Sequence, residues 1–279
     1  MLADYHVHSA FSDDSDYPME EVVRDAIALG LDEICFTDHV DYGIKLDHGT
    51  SGHVPRLDPS TGLPFYNTDY PAYFALIEKM QERYGDLITI RKGLEFGIQM
   101  PYLDKYQKLC ERYPMDFIIH SNHQVDDIEI YLPEYHEGRT QKEYNRAYYE
   151  ELLKTVNAFK NYSVLGHIDN IKRYDPQGEC PFSDFEDLVY EILKVAIRDG
   201  KGIEFNTSSA RYGLKDHTPC TQILKMFRDL GGEIITIGSD SHAKSHLGYD
   251  IERTKQILKD LGYEYFCTFS QMKPIFHKL

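Results

Sequence analysis

Nothing in this sequence is long and apolar enough to cross a bilayer. Its most hydrophobic runs, such as Glu233–Gly238, are a handful of residues, against the roughly 20 a spanning helix needs. A membrane is therefore not an expected partner. The start, Met1-Leu-Ala-Asp-Tyr-His6, lacks a basic segment followed by an apolar one, so no secretory signal is expected and the protein is expected to work in the cytoplasm. Cysteine is scarce and unpatterned: Cys35, Cys110, Cys180, Cys220 and Cys267 form an odd set with no CxxC spacing. That argues against a disulfide framework or a zinc finger, and for free thiols in a reducing compartment. Positive charge is also short, with 30 Lys and Arg against 46 Asp and Glu and a net charge of −16. Nonspecific affinity for nucleic acid comes from Lys and Arg displacing counterions, so nucleic acid is not expected as a partner either. The acidic excess serves solubility and also attracts cations. No Pro/Gly/Ser-rich joint, low-complexity segment or internal repeat divides the chain.

What is present is an ordinary globular balance, 42% hydrophobic and 27% charged, with enough apolar material for a sizeable core. At 279 residues, length alone leaves one domain or two open, since β/α barrels reach about 250 residues as a single domain. Short β-rich apolar runs alternate with longer stretches of helical periodicity, the signature of βα units around a parallel sheet. Seven strands are expected, at Leu2–His8, Glu33–His39, Ile88–Phe96, Phe117–His123, Ser163–Asp169, Gly202–Thr207 and Glu233–Asp240. Helices are expected at about 18–29, 70–84, 101–113, 143–160, 183–199, 219–230 and 250–261. Pro18, Pro71, Pro101 and Ser183 supply their starts, and Gly30, Gly85, Gly200, Gly231 and Gly262 their ends. With no joint between cores, one domain over 1–279 is the better reading. Two irregular insertions interrupt it: 40–69, rich in Gly, Pro, Asp and His and expected to be a lid or substrate loop, and 124–142, which carries Asp126, Asp127, Glu129, His136 and Arg139.

The chemistry lies in where the histidines fall. Of 13, seven sit in or at the C-terminal end of an expected strand: His6, His8, His39, His120, His123, His167 and His242. Strand C-termini are the catalytic end of a β/α barrel. Glu95 and Asp240 hold matching positions, and Asp14 lies just beyond the first strand. His6 and His8 are two apart, so both point to one face, and Asp240 and His242 repeat that spacing. One strand histidine alone is more often a satisfied core residue than a ligand. A whole set is different, because ionisable groups on strands that should be buried cost a few kcal/mol each when unpaired, and a metal cluster compensates several together. Glu95 is the central carboxylate, able to bridge two ions; mixed imidazole and carboxylate ligands suit zinc, iron or manganese.

The motifs Asp4-Tyr-His-Val-His-Ser9 with Asp14, Phe36-Thr-Asp-His39, Gly93-Leu-Glu95, Ser121-Asn-His123, Gly166-His-Ile-Asp169 and Gly238-Ser-Asp-Ser-His242 resemble, in order, those of the PHP (polymerase and histidinol phosphatase) superfamily. Gly166–Arg173 and Glu204–Arg211 are most similar to the histidinol-phosphatases. The resemblance implies an α/β fold, a distorted seven-stranded (β/α)7 TIM-like barrel, with three divalent metal ions. The first would be held by His6, His8, Glu95 and Asp240, the second by Glu95, His123 and His167, and the third by Asp14, His39 and His242. Relatives usually carry a small residue where this chain has His120; between His120 and His123 the resemblance favours His123, and between Asp13 and Asp14 it favours Asp14.

The implied reaction is hydrolysis of a small-molecule phosphate ester, L-histidinol phosphate, in histidine biosynthesis. A metal-bridging water of lowered pKa would attack phosphorus in line. Glu95, Asp240 and His39 would stand at the centre of catalysis, Arg211 would meet the phosphoryl oxygens, and His120 or the 40–69 loop would protonate the leaving group, His120 otherwise bonding substrate or packing outside the barrel. Asp38 and Asp169 would orient ligand imidazoles, although alternation points Asp38 away from the site and suits a packing role equally. Two other readings keep the site: a phosphatase for another small ester such as a nucleotide or sugar phosphate, and a metal-binding module without catalysis.

Overall fold

In the computed structural model, which describes residues 1–52, 54, 57–58 and 61–279, all seven expected strands form. In chain order the strands are β1 (Ala3–Val7), β2 (Glu33–Phe36), β3 (His39–Val40), β4 (Thr89–Gly97), β5 (Phe117–Ser121), β6 (Gln124–Val125), β7 (Ile128–Glu129), β8 (Val164–Leu165), β9 (Gly202–Asn206), β10 (Ile235–Gly238), β11 (Tyr265–Ser270) and β12 (Lys273–Lys278). The helices are α1 (Met19–Ala28), α2 (Tyr70–Tyr84), α3 (Leu103–Arg112), the single turn α4 (Pro133–His136), α5 (Gln141–Ala158), α6 (Glu186–Arg198), α7 (Thr221–Asp229) and α8 (Ile251–Asp260).

The main sheet runs β1-β2-β4-β5-β8-β9-β10, parallel at every step, with β3 beside the end of β4. It curls until its two edges meet. Val7 and Ser241 form a parallel bridge, in which the amide of His8 donates to Ser241 O at 2.8 Å and that of Ser241 to His6 O at 3.1 Å. Below this bridge the Asp4 carboxylate accepts from Ser239 N (2.8 Å), Ser239 Oγ (2.5 Å) and Gly248 N (2.9 Å). The result is a distorted (β/α)7 barrel whose seam is closed partly by a side chain.

Helices cover the outside of the ring. Val22, Val23 and Ala26 of α1, Tyr73 and Ile77 of α2, Tyr148 and Leu152 of α5, and Ile192 and Leu193 of α6 are buried in one core with outward-facing strand residues such as Ile34 and Leu94. Each such large side chain contributes about 1.5–3 kcal/mol on burial. The ends of the helices partly follow the sequence. Asp69 caps α2, accepting from Ala72 N, with Pro71 in the first turn. Gly262 (φ 88°) follows α8 in the left-handed region, whereas Gly85 (φ −62°) ends α2 without it. Ser183 is not the cap of α6: it lies within a short 3-10 turn, and Phe185 precedes the helix. α5 starts earlier than expected because Thr140 and Glu143 form a reciprocal capping box.

The insertion at 40–69 includes residues 53, 55, 56, 59 and 60, which lie outside the described residues. Its described base is tied down by Lys45 N to Asp41 O, Leu46 N to Phe65 O and Asn67 N to Leu46 O. The insertion at 124–142 is the β6–β7 hairpin followed by α4. A C-terminal hairpin, β11–β12, has no counterpart among the sequence expectations. It packs against the start of β5, through the Phe117–Phe269 ring contact at 5.1 Å and Gln271 N donating to Asp116 Oδ1.

Candidate metal centre

The strand C-termini place their polar residues on one spot. Alternation along β1 turns His6 and His8 inward, and the pairing of His39 with Glu95 sets those residues side by side. The Glu95 carboxylate, fully buried, is the hub. Its Oε2 faces His6 Nε2 (3.2 Å), His39 Nδ1 (3.1 Å) and His8 Nε2 (3.5 Å); its Oε1 faces His167 Nε2 (2.8 Å), His123 Nε2 (3.1 Å) and the Ser121 hydroxyl (2.7 Å). Asp240 Oδ1 lies 3.6–3.7 Å from His6 Nε2, His8 Nε2 and His242 Nδ1. Asp14 Oδ2 completes the outer edge, 3.1 Å from His242 Nε2 and 3.4 Å from His39 Nε2. Asp13 turns instead to Lys45. Asp240 (φ 56°) and His167 (φ 21°) take positive φ, which non-glycine residues seldom adopt. Such strain is held by its surroundings and clusters at functional sites.

Burial raises the Glu95 pKa, but His6, His123, His39 and His167 outweigh it and hold the group well below the usual carboxylate range. Asp240 is held down in the same way by His6, Arg173 and His242. Both are held as ionised, buried carboxylates. Around them His6 Nε2, His8 Nε2, His39 Nδ1 and Glu95 Oε2 are buried with no hydrogen-bond partner. Leaving each so costs about 1–3 kcal/mol, and divalent cations between them would satisfy all at once. The donor atoms already converge: within each of the sets His6, His8 and Asp240; His6, Glu95 and His167; His39, Glu95 and His123; and His8, His39 and His242, they lie within 4.8 Å of one another. The residues fit a cluster of imidazole- and carboxylate-bound ions.

The far sides of four rings, those of His6, His8, His123 and His242, are also held. Glu204 takes His6 Nδ1 at 2.6 Å and the His167 amide at 2.8 Å. Asp41 takes His123 Nδ1 at 2.8 Å, Ser12 Oγ meets His8 Nδ1 at 3.2 Å, and the Asp240 carbonyl meets His242 Nδ1 at 3.0 Å. Such partners fix the orientation of a ligand. Neither Asp38 nor Asp169 touches an imidazole, contrary to expectation. Asp38 accepts from Ser9 and Ser12 and reaches His8 only through Ser12, while Asp169 binds Lys172 Nζ and Cys220 N. Glu204, the third residue of β9, faces the same way as Asn206 at its end and could have been read from that alternation. Asp41 stands two beyond His39 and carries the same signal.

His120 is the second correction. β5 ends at Ser121, with Asn122 Nδ2 donating to Tyr148 O, so the strand alternation does not extend to His123. Ser121 faces Glu95, which sends His120 outward to Thr155 Oγ1 (3.0 Å) and the edge of Tyr162. Burial, with Lys160 adding, pulls its pKa down to about 3. It is a neutral packing residue and does not protonate a leaving group.

Above the cluster opens a cavity of about 530 Å³, lined among others by Asp14, His123, Arg173, Arg211, Tyr212 and His242. The expected Arg211 is there: its Nη2 donates to the carbonyls of Ser239 and Asp240, both at 2.8 Å, and its Nη1 is buried without a partner. Arg173, not singled out from the sequence, pairs with Asp240 Oδ2 at 3.0 Å and lies over the Tyr212 ring. Glu129 and Tyr131 bring the second insertion to the wall; Phe65 and Lys45 bring the first.

A parallel barrel that gathers this many imidazoles and carboxylates at its strand C-termini defines a barrel metalloenzyme. The chain belongs to the PHP domain family, whose pattern matches residues 4–208. It is 34% identical over 277 residues to the histidinol-phosphatase of Lactococcus lactis subsp. lactis (strain IL1403), covering 97% of this chain and 95% of that one. Its structure superposes on the crystal structure of a histidinol phosphate phosphatase from the same organism, complexed with Zn, L-histidinol and phosphate. The TM-score is 0.84, with 32% identity and 98% of each chain covered.

Proposed function

We propose that this protein is a histidinol-phosphatase, hydrolysing L-histidinol phosphate to L-histidinol and phosphate in histidine biosynthesis. The observation that carries the reading is the Glu95 carboxylate ringed by five imidazoles, in a chain that aligns end to end with a histidinol-phosphatase. The whole chain, 1–279, is read as one phosphoesterase domain, and its place as the cytoplasm. Among the described residues no helix is long and apolar enough to cross a membrane.

Three divalent ions, zinc, manganese or iron, would be held by His6, His8, Glu95 and Asp240; by Glu95, His123 and His167; and by Asp14, His39 and His242. Bound there, they supply Lewis acidity toward the phosphoryl group and toward the water that attacks it. The protein's own part is placement. Arg211 Nη1, buried and unpartnered, offers a donor to a phosphoryl oxygen, and Arg173 brings a second guanidinium to the same wall. Ionised Glu95 and Asp240 hold the imidazoles and the ions together. The burial of the cluster strengthens each of these contacts.

Steady-state kinetics on metal-loaded enzyme test the reading, across L-histidinol phosphate, a nucleotide and a sugar phosphate. We expect kcat/KM for L-histidinol phosphate to lead by at least about tenfold, ~1.4 kcal/mol in transition-state stabilisation. Equal or better turnover of another ester would overturn the substrate assignment. No turnover of any ester would overturn the enzymatic one.

A further inference from the structure

One buried cation near the metal centre has no part in the reading above. Lys45, in the segment after β3, is 7% exposed, yet its ammonium lies 2.9 Å from Asp41 Oδ2 and 2.5 Å from Asp13 Oδ1. Asp41 is itself buried and divides its two oxygens. Oδ1 accepts from His123 Nδ1 at 2.8 Å, and Oδ2 takes Lys45. The carboxylate rests directly on Gly97, where a Cβ would lie 2.0 Å from Asp41 Oδ1 and 2.9 Å from His123 Nδ1. Its backbone is fixed as well, since Asp41 N donates to Asn67 Oδ1. An unbroken series of contacts thus runs from Asp13 in the loop after β1, through Lys45 and Asp41, to His123 and on to Glu95.

We propose that Lys45 is a positioning residue for the metal centre: it holds the Asp41 carboxylate in the one orientation that aims His123 Nε2 at Glu95. The inference rests on reading His123 as a metal ligand. Removing the ammonium leaves Asp41 Oδ2 buried without its partner. The carboxylate then turns about its own side-chain bond toward water, and the hydrogen bond that fixes the His123 ring is lost. The ammonium of Lys45 is engaged by Asp41 and Asp13, and it makes no contact with the imidazoles or with Glu95. Its effect reaches the metal centre through one carboxylate and one imidazole, and through Asp13 it ties the 40–69 insertion to the loop after β1.

The test is chelator competition on the purified holoenzyme, with kcat measured in parallel, for Lys45→Met, Lys45→Arg, Asp41→Asn and the Lys45→Met/Asp41→Asn pair. Loss of an orienting partner costs about 10–100-fold in metal affinity. That loss is expected for the most easily removed ion in Lys45→Met, with Lys45→Arg recovering most of it. The double variant should be no worse than Asp41→Asn alone, because both changes act on one contact series. A purely structural lysine would lower Tm and leave metal affinity unchanged. Wild-type metal affinity in Lys45→Met, or additive losses in the double variant, overturns the proposal. His123→Asn run alongside separates this failure from that of the underlying reading, which falls if His123→Asn retains every ion.

Discussion

His120 and His123 stand three residues apart at the end of one strand, and exchanging each for Asn separates packing from ligation. His120→Asn removes the bond to Thr155 Oγ1, about 0.5–1.5 kcal/mol. It also withdraws part of a fully buried ring packed against Tyr162 at 4.9 Å, which leaves a cavity costing about 24 cal/mol per Å³. With roughly 40 Å³ removed, the two together amount to a destabilisation of about 1.5–2.5 kcal/mol. At roughly 2–4 °C per kcal/mol for a chain of this size, Tm should fall by about 3–10 °C. Metal content and kcat should stay near wild type, because the side chain faces α5 and not the cluster. His123→Asn acts the other way. Its side chain is 16% exposed and packs less, so little packing is lost, but Nε2 is withdrawn from Glu95 and Nδ1 from Asp41. Partners one step from a metal are already worth 10–100-fold, so a direct ligand should cost more than about 100-fold in kcat/KM, over ~2.7 kcal/mol, with loss of one ion. Elemental analysis, thermal melts and steady-state kinetics on both variants decide it. Metal loss that follows His120, or His123→Asn keeping its ions and more than about a tenth of wild-type kcat/KM, would refute the reasoning.

Purified holoenzyme should carry two to three equivalents of divalent metal by elemental analysis; one ion or fewer at full activity contradicts the trinuclear assignment. Glu95→Gln and Asp240→Asn should each abolish turnover and lower metal content while the far-UV circular dichroism of the barrel is retained; either variant with full metal and more than about a tenth of wild-type kcat/KM would show that its carboxylate is not a ligand. Gly238→Ala should weaken metal binding although it touches no ion, since its Cβ would lie 2.4 Å from both Glu204 Oε1 and the His6 Cβ. Unchanged metal affinity there would mean that Glu204 does not orient His6.

The barrel was legible because a parallel βα repeat writes itself locally, as an apolar run, a periodic helix and a stop. The inward-facing candidate ligands were legible because they sit at strand ends, where ionisable residues have no packing reason to be. What could not be read is which residues pair across the sheet. Glu204 reaches His6 over 198 positions, and Lys45 joins Asp13 over 32; neither separation leaves a mark in local spacing. His120 misled for a related reason, since a strand's last residue decides which neighbours still alternate. The hairpin at β11–β12 went unseen because its turn uses Gln271 (φ 50°) and Met272 (φ 63°), not the Asn-Gly pair that announces such turns. Those two amides are held instead by Asp116, through Oδ1 and the backbone carbonyl.

The seam of the barrel ties assembly to its cargo of ions. β1 and β10 share a single bridge and the Asp4 fork rather than a continuous ladder, and the same two edges carry His6 and His8 on one side and Asp240 and His242 on the other. An ion held by His6 and His8 from one edge and Asp240 from the other would fasten the sheet across this short seam. By mass action, an ion at a thousand times its dissociation constant contributes about 4 kcal/mol to the closed form. The metal-free chain should therefore open first at this joint, which would make the same cluster a fastener of the fold as well as a candidate catalytic centre.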